Sequence, residues 1–349
     1  MDCTNKRIEW IDTAKGITIL LVIIAHTVYY GNTGSIIHTV IYSFHMPLFF
    51  ILSGFTATLT STKEDFLIKT KKLAMSLLVP AYVAYICKLF ICMVIDKPDN
   101  INFNFFINHL YSMLYVSNGK INNQQDLIYF FGYIWFLVVL FLCRTLLNYL
   151  NLLLNREQLI FVTSLLSLIG YAIGIQTYMI FSFDIVLTVL PFFLCGQFIK
   201  RINISKAPFM YGICSFLIWI TGLFLMHPHP RNTEHLDFFA RKYPFYPLCF
   251  FTAITGSVFL CTCCIILSKL HISKFFALIG KHSLILLLIH YFDSIWKTIW
   301  ISPSDQYIRV LLRLLMDIAI FLLIILVRIL INIVKKRTTK LVPLKDNNL

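Results

Sequence analysis

The chain has 349 residues, of which 58% are hydrophobic and only 13% are charged, and its mean hydropathy is +0.79. These values exclude a soluble globular domain. The net charge of +14 could suit a nucleic-acid-binding protein, but Lys and Arg cluster in short connections between apolar runs and at the C-terminal end. That distribution indicates membrane topology. We therefore expect an integral membrane protein that lies in a lipid bilayer and binds no nucleic acid.

Apolar runs long enough to cross a hydrocarbon core of roughly 30 Å, about 20 residues each, recur along the chain. They predict an all-α, polytopic bundle of about ten spans in a single membrane domain over residues 1–349, with a basic tail at 335–349. The predicted spans are 14–31, 36–60, 73–95, 127–149, 158–175, 181–199, 208–226, 247–268, 280–300 and 307–334. Ten spans place both termini on one side. The positive-inside rule makes that side cytoplasmic, because the basic connections near 63–72, 200–206 and 269–274 share it.

Cysteine and histidine spacing predicts no metal site. Most of the ten cysteines lie within apolar runs, and the cluster at 261–264 has no nearby His or second Cys pair at ligand spacing. Free thiols packed as small hydrophobic groups explain them better. The loop with His227, His229 and His235 also lacks a second set of ligands, so it is assigned no metal.

The first span places two ionisable residues on one face. Lys15 and His26 are eleven residues apart in "TAKGITILLVIIAHTVYY", which is three helical turns plus roughly 20° and an axial separation of about 16 Å. Asp12, three residues before Lys15, can pair with it. An alternative interpretation of Lys15 is a lysine at the membrane interface whose side chain extends to the headgroups. The alternative for His26 is a histidine that packs against a neighbouring helix. Ionisable residues inside a span are nevertheless functional candidates, and an imidazole transfers protons near neutral pH.

The second span, "IIHTVIYSFHMPLFFILSGFTATLT", adds polar groups. His38 and His45 are seven residues apart and share a face of a regular helix. Pro47 predicts a kink near His45. Ser53 and Gly54 permit close helix approach and equally suit simple helix packing. A kinked helix that holds His45 against the His26 face would form a polar pocket inside the membrane.

These patterns resemble the membrane acyltransferases of family 3, whose members typically O-acylate cell-surface sugars. The first span matches the family pattern of a basic residue, ten others and then His, at Lys15 and His26, with Asp12 and Gly16 in the usual places. The other similar stretches are "SFHMPLFFILSGF", "YIWFLVVLFLCR" with Trp135, "PFFLCGQFIKR", and "GKHSLILLLIHYF" with Ser283 and His290. Together they run in the family's order from residue 7 to about 292.

Two positions depart from the family pattern. Members with a Trp-Ser-Leu-x-x-Glu motif carry a carboxylate where this chain has Leu140, so no role is transferred there. Many Trp-Phe-Leu members have His two residues before the Trp, a position held here by Tyr133. The resemblance implies a multi-pass enzyme of a bacterial inner (cytoplasmic) membrane without a fused esterase-like domain.

The mechanism expected from the resemblance is transfer of an acyl group, most simply acetyl, from cytosolic acyl-CoA to a hydroxyl of a glycan or lipid-linked sugar. No permanently bound cofactor is expected. Lys15 would attract the donor's phosphates, with Lys71, Lys72 or Arg201 at the same mouth, and His26 would be the general base. His45 would orient His26, stabilise the oxyanion or serve as the base itself. The supporting residues would be Asp12, Ser53, Gly54, Trp135, Ser283 and His290.

Two other classes of function stay open on the sequence alone. A proton-coupled transporter or a flippase for a lipid-linked sugar also uses intramembrane His and Asp residues. A structural subunit would use them only to bind helices together. Asp184, Asp293 and Asp317 lie in or near spans, and Asp317 is predicted to form a structural ion pair with Arg313, one turn away.

Overall fold

The computed structural model describes residues 7–28, 36–96, 103–116, 131–226 and 235–341. His227, His229 and the last eight residues of the basic tail therefore lie outside the described residues. Within those ranges the chain is helical, with one isolated β-bridge between Asp237 and Lys242. The α-helices there are α1 (Glu9–Val28), α2 (Ile36–Tyr42), α3 (His45–Thr56), α4 (Lys63–Asp96), α5 (Phe103–Tyr115), α6 (Trp135–Leu153), α7 (Arg156–Gly174), α8 (Phe183–Ile202), α9 (Pro208–Met226), α10 (Leu248–Leu267), α11 (Ser273–Lys281), α12 (Ser283–Phe292), α13 (Lys297–Ile301) and α14 (Gln306–Leu341).

Ten segments of the described chain are long and apolar enough to cross a membrane, which confirms the predicted polytopic helical bundle. The first begins at Glu9, five residues earlier than predicted, and the last helix runs on to Leu341. The short helices α5 and α11 were not predicted, because neither carries an apolar run of spanning length. Large apolar side chains remain exposed on α4, α9 and α14, as expected of surfaces that face lipid.

The second span is interrupted, and the break lies before the proline. Ser43 and Phe44 form a turn between α2 and α3, and Pro47 is the third residue of α3. The backbone N–H groups in the first turn of a helix have no partner within that helix. The absence of an N–H at Pro47 therefore costs α3 no hydrogen bond and does not bend it. The interruption also places His38 on α2 and His45 on α3, so they do not share the face of one continuous helix.

Glycines bring two pairs of helices into backbone contact. A Cβ added to Gly280 of α11 would lie 1.7 Å from the backbone oxygen of Asp12, and one added to Gly16 would lie 2.0 Å from that of Phe276. A Cβ added to Gly196 of α8 would lie 2.0 Å from the backbone oxygen of Ile51. One added to Gly54 of α3 would lie 2.0 Å from the backbone oxygen of Phe193. These contacts fix α1 against α11 and α3 against α8, which places the inner ends of α1 and α3 around one cavity.

Candidate active site

A cavity of about 250 Å³ lies between α1, α3, α4, α6 and α12. Its apolar walls come chiefly from Ile, Leu, Val, Met and Phe. Its polar lining consists of Lys15, His26, Ser53, Thr56, Ser76, Tyr133, Trp135, Arg144 and Ser283. Five residues that the sequence singled out, Lys15, His26, Ser53, Trp135 and Ser283, are thus brought together from four helices.

His26 lies at one end of the cavity and is enclosed by three rings. Tyr42 places its hydroxyl oxygen 3.2 Å from His26 Nδ1. The ring of Tyr133 lies 4.3 Å from the His26 ring between centroids, and the His290 ring lies at 5.5 Å. Because Nδ1 is occupied by the tyrosine hydroxyl, Nε2 is the nitrogen left to meet a substrate in the cavity.

The opposite end of the cavity carries two cations, Lys15 and Arg144. Both side chains line the cavity. Asp12 does not pair with Lys15 as predicted, because its carboxylate lies 3.2 Å from Arg7 Nε. Neither Lys15 nor Arg144 has a carboxylate within 4 Å among the described residues, and Arg144 Nε is buried there without a hydrogen-bond partner. Among the described residues no carboxylate lines the cavity, so Lys15 and Arg144 make no direct ion pair within it.

The other predicted residues lie around the cavity. His45 is buried and points Nδ1 at the Ile41 carbonyl oxygen, 2.9 Å away, and it does not belong to the cavity lining. Gly54 serves the contact between α3 and α8, and His290 stacks on Tyr133 behind the His26 ring. The basic residues Lys71, Lys72 and Arg201 do not line this cavity; Arg201 borders a separate cleft with Arg156.

A buried charged cluster supports His26 from behind. Arg313 of α14 binds both carboxylate oxygens of Asp293, with Nε at 2.6 Å from Oδ2 and Nη2 at 2.9 Å from Oδ1. His290 Nδ1 donates to the same Asp293 Oδ2 at 2.9 Å. Arg313 Nη1 also donates to Thr27 Oγ1 at 3.2 Å, next to His26 in the chain. The predicted ion pair between Arg313 and Asp317 is wrong, because Arg313 pairs with Asp293 instead.

One group of side chains has the spacing of a metal site, with ligand atoms within 4.8 Å of one another: His290, Asp293 and Asp317. The donor set fits a metal poorly. Asp293 Oδ2 already accepts hydrogen bonds from Arg313 and His290, and the Arg313 guanidinium neutralises that carboxylate. Asp317 Oδ2 lies 3.6 Å from His290 Nδ1, longer than a hydrogen bond. We assign these side chains to a support for His26.

Sequence reasoning gave no role in the site to four residues that shape it, Tyr42, Arg144, Asp293 and Arg313; Arg313 was predicted only to pair with Asp317. Arg144 carried a usable signal, because it is an arginine near the middle of an apolar span. Tyr42 lies on the predicted second span, but spacing along the chain does not show that its hydroxyl reaches His26. The pair of Asp293 and Arg313 joins two spans, so local spacing does not reveal it.

A family model described as an acyltransferase domain matches residues 8–335. The chain belongs to acyltransferase family 3. It is also 30% identical over 156 residues to the nodulation protein NolL of Sinorhizobium fredii, an alignment that covers 43% of this chain. Only 39% of that protein's own length is spanned. No solved structure matches the chain. The family expected from the sequence is confirmed.

Both departures from the family pattern lie on the cavity of this acyltransferase domain. Tyr133 fills the position of the family's histidine and packs between His26 and His290, with ring centroids at 4.3 and 4.6 Å. Leu140, where other members carry a carboxylate, forms part of the apolar wall. Leu140 thus adds to the apolar wall, to which Ile19 and Val22 of α1 also belong.

Proposed function

We propose that this membrane acyltransferase moves an acyl group, most simply acetyl, from acyl-CoA to a hydroxyl of a glycan or lipid-linked sugar at the outer side of a bacterial inner membrane. The observation that carries the proposal is the position of His26: it lines a cavity with largely apolar walls, with a tyrosine hydroxyl on Nδ1 and two cations at the far end. This arrangement suits a base that meets an anionic donor.

His26 Nε2 is the proposed general base. In the productive tautomer Nδ1 carries the ring proton and donates it to the Tyr42 oxygen, which leaves the lone pair of Nε2 facing the cavity. Nε2 takes the proton of the acceptor hydroxyl while that oxygen attacks the thioester carbonyl carbon. When the tetrahedral intermediate collapses, the C–S bond breaks, the ester forms, and the CoA thiolate takes the proton from His26.

His26 suits this step better than His45. The cavity is lined by His26 and not by His45, whose Nδ1 is occupied by the Ile41 carbonyl. His45 also packs against Tyr42, with ring centroids 4.6 Å apart. We propose that His45 holds Tyr42 and, through it, the orientation of His26.

The sidedness follows from charge. Successive spans run in opposite directions, so the connections at 57–62, 203–207 and 268–272 lie on the same side of the bundle as the start of α1. The basic residues cluster beside these connections. By the positive-inside rule the Lys15 end faces the cytosol, where acyl-CoA is available. The His26 end then lies deeper, toward the compartment of the acceptor.

The test is mass spectrometry of surface glycans and lipid-linked sugars from cells that carry the wild-type protein, a deletion, His26→Ala, or His271→Ala at matched membrane abundance. His271 is exposed and outside the cavity, so it is the matched control. We expect an acyl mass that is present with the wild type and His271→Ala, absent from the deletion, and reduced at least about 100-fold by His26→Ala.

Two results would contradict the proposal. Full acylation by His26→Ala would remove the base assignment. Unchanged glycans in all strains, together with solute or lipid-linked sugar movement that needs no acyl-CoA, would favour a proton-coupled transporter or flippase instead.

A further inference from the structure

A second cleft lies at the end of the bundle that carries the basic connections. Its volume is about 120 Å³, and it is bounded by the end of α6, the start of α7, the last turns of α8 and the segment after α3. Two arginines line it: Arg156 is the first residue of α7, and Arg201 lies at the end of α8. Among the described residues, this cleft shares none with the lining of the cavity that holds His26, so it is a separate site.

The two arginines are the groups of this cleft that are left to bind an anion. Within the described chain, no carboxylate lies within 4 Å of either guanidinium, and no acidic residue lines the cleft. The amide side chains in the lining already donate to backbone oxygens. Gln197 Nε2 lies 2.9 Å from the carbonyl oxygen of Ala57, and Asn151 Nδ2 lies 3.0 Å from that of Thr60. The positive charge of the cleft therefore faces outward, toward the membrane surface.

The cleft continues from its charged edge into the membrane along apolar side chains. Ile160 lies about 6 Å deeper than Arg156 along α7, while Phe198 and Leu194 lie about 5 and 10 Å deeper than Arg201 along α8. Ile160 and Phe198 are 49% and 54% exposed, on the surface of spans that face lipid. A phosphate on an acyl chain has this same order of charged and apolar parts. A soluble anion would leave the apolar walls unused.

We propose that this cleft binds a phospholipid of the cytosolic leaflet with net negative charge, of the phosphatidylglycerol type. Arg156 and Arg201 hold the phosphate oxygens, and Ile160, Leu194 and Phe198 contact an acyl chain. A guanidinium donates two parallel N–H groups to phosphate, and basic clefts between spans on this side of a membrane suit lipid headgroups. A zwitterionic lipid brings an ammonium group to the same place, which two arginines repel. The inference does not depend on the proposed acyl transfer.

The test measures the binding of single lipid molecules to the full chain in detergent by native mass spectrometry. The probes are palmitoyl-oleoyl phosphatidylglycerol and the phosphatidylcholine with the same acyl chains, so the two differ only in the headgroup. We expect the first phosphatidylglycerol to bind at least about tenfold more tightly than the first phosphatidylcholine, because each arginine near the phosphate contributes about a fivefold preference for negative charge. Equal affinity for the two lipids would overturn the inference.

Variants separate the cleft from the general positive charge of that side. Arg156→Gln/Arg201→Gln should lower the preference for phosphatidylglycerol to about threefold or less. The matched control is Lys200→Gln/Lys206→Gln, which removes two exposed cations of the same side that do not line the cleft, and it should keep the preference within about twofold of the wild type. An unchanged preference in the arginine variant, or an equal loss in the lysine control, overturns the inference. If the double arginine variant does not fold, Arg201→Gln alone decides, with an expected loss of about fivefold.

Two competitors identify the source of the phosphate. Glycerophosphoglycerol is the same headgroup without acyl chains, and at about 1 mM it should leave most of the phosphatidylglycerol bound, because burial of the acyl chain adds to the affinity of the lipid. If it displaces the lipid, the cleft is a site for a soluble anion and the inference is overturned. Saturating CoA should also leave the lipid bound, and its loss would assign the cleft to CoA instead. Neither result bears on the role of His26, which the glycan measurements test separately.

Discussion

Removing Arg313 tests whether the buried cluster behind His26 is a coupled unit. Arg313 and Asp293 are almost inaccessible, with side-chain exposures of 1% and 0%. They share two short hydrogen bonds, at 2.6 and 2.9 Å. Arg313→Met leaves the Asp293 carboxylate buried between His290 and a second carboxylate, Asp317, without its cation. Breaking a buried ion pair from one side costs about 3–5 kcal/mol. At about 2 °C per kcal/mol for a chain of this size, the apparent melting temperature should fall by about 6–10 °C.

The double variant Asp293→Asn/Arg313→Met provides the decisive comparison. Removing both charges leaves no carboxylate at position 293 without its arginine, so the double variant should melt above Arg313→Met, with a coupling of about 1–3 kcal/mol. Melting is followed by fluorescence-detected size-exclusion chromatography of detergent extracts. Arg328→Met, on an exposed part of the same helix, is the control and should not lower the melting temperature. The reasoning is refuted if Arg313→Met melts like the wild type. It is also refuted if the melting temperature of the double variant falls by the sum of the decreases in Arg313→Met and Asp293→Asn.

Three further outcomes are expected. Tyr42→Phe should lower kcat about 10- to 100-fold with little change in KM, because it removes the hydroxyl on His26 Nδ1; an unchanged kcat in a radiolabelled acyl-transfer assay would contradict this. Gly280→Ala should lower membrane abundance, since its Cβ would lie 1.7 Å from the Asp12 carbonyl oxygen, and immunoblots at matched transcript level check it. Acetyl-CoA should give a higher kcat/KM than octanoyl-CoA, because rings enclose the His26 end of a cavity of about 250 Å³; equal values would refute that limit.

The spans were predictable because hydropathy is a local property. A run of about 20 apolar residues must cross the hydrocarbon core wherever it occurs, and all ten runs do form helices of that kind. The common face of Lys15 and His26 was predictable for a similar reason, since helical periodicity is fixed and α1 is regular. The break at Ser43 and Phe44 was placed slightly too late, because the proline that marks it begins the new helix.

Partner choice between distant helices was not predictable. One turn of helix separates Arg313 from Asp317, and local spacing favoured that pair. The structure pairs Arg313 with Asp293, twenty residues away, because the turn after α12 brings this carboxylate against α14. Likewise, Arg7 takes Asp12 from Lys15. Both errors have one cause: spacing shows which residues share a face of a helix, and tertiary packing decides which neighbouring side chain reaches them.

The separation of charges favours an enzyme over a proton-coupled carrier. A carrier that moves protons with its solute commonly relays them through a series of acidic and histidine side chains along the transport path. Here Asp293 and Asp317 are fully buried behind the His26 ring, and Asp293 is neutralised by Arg313. The cavity itself has cations at one end, a histidine at the other, and no acidic residue among the described side chains that line it. Such a cavity suits an anionic substrate whose far end meets a base, as the proposed acyl transfer from acyl-CoA requires.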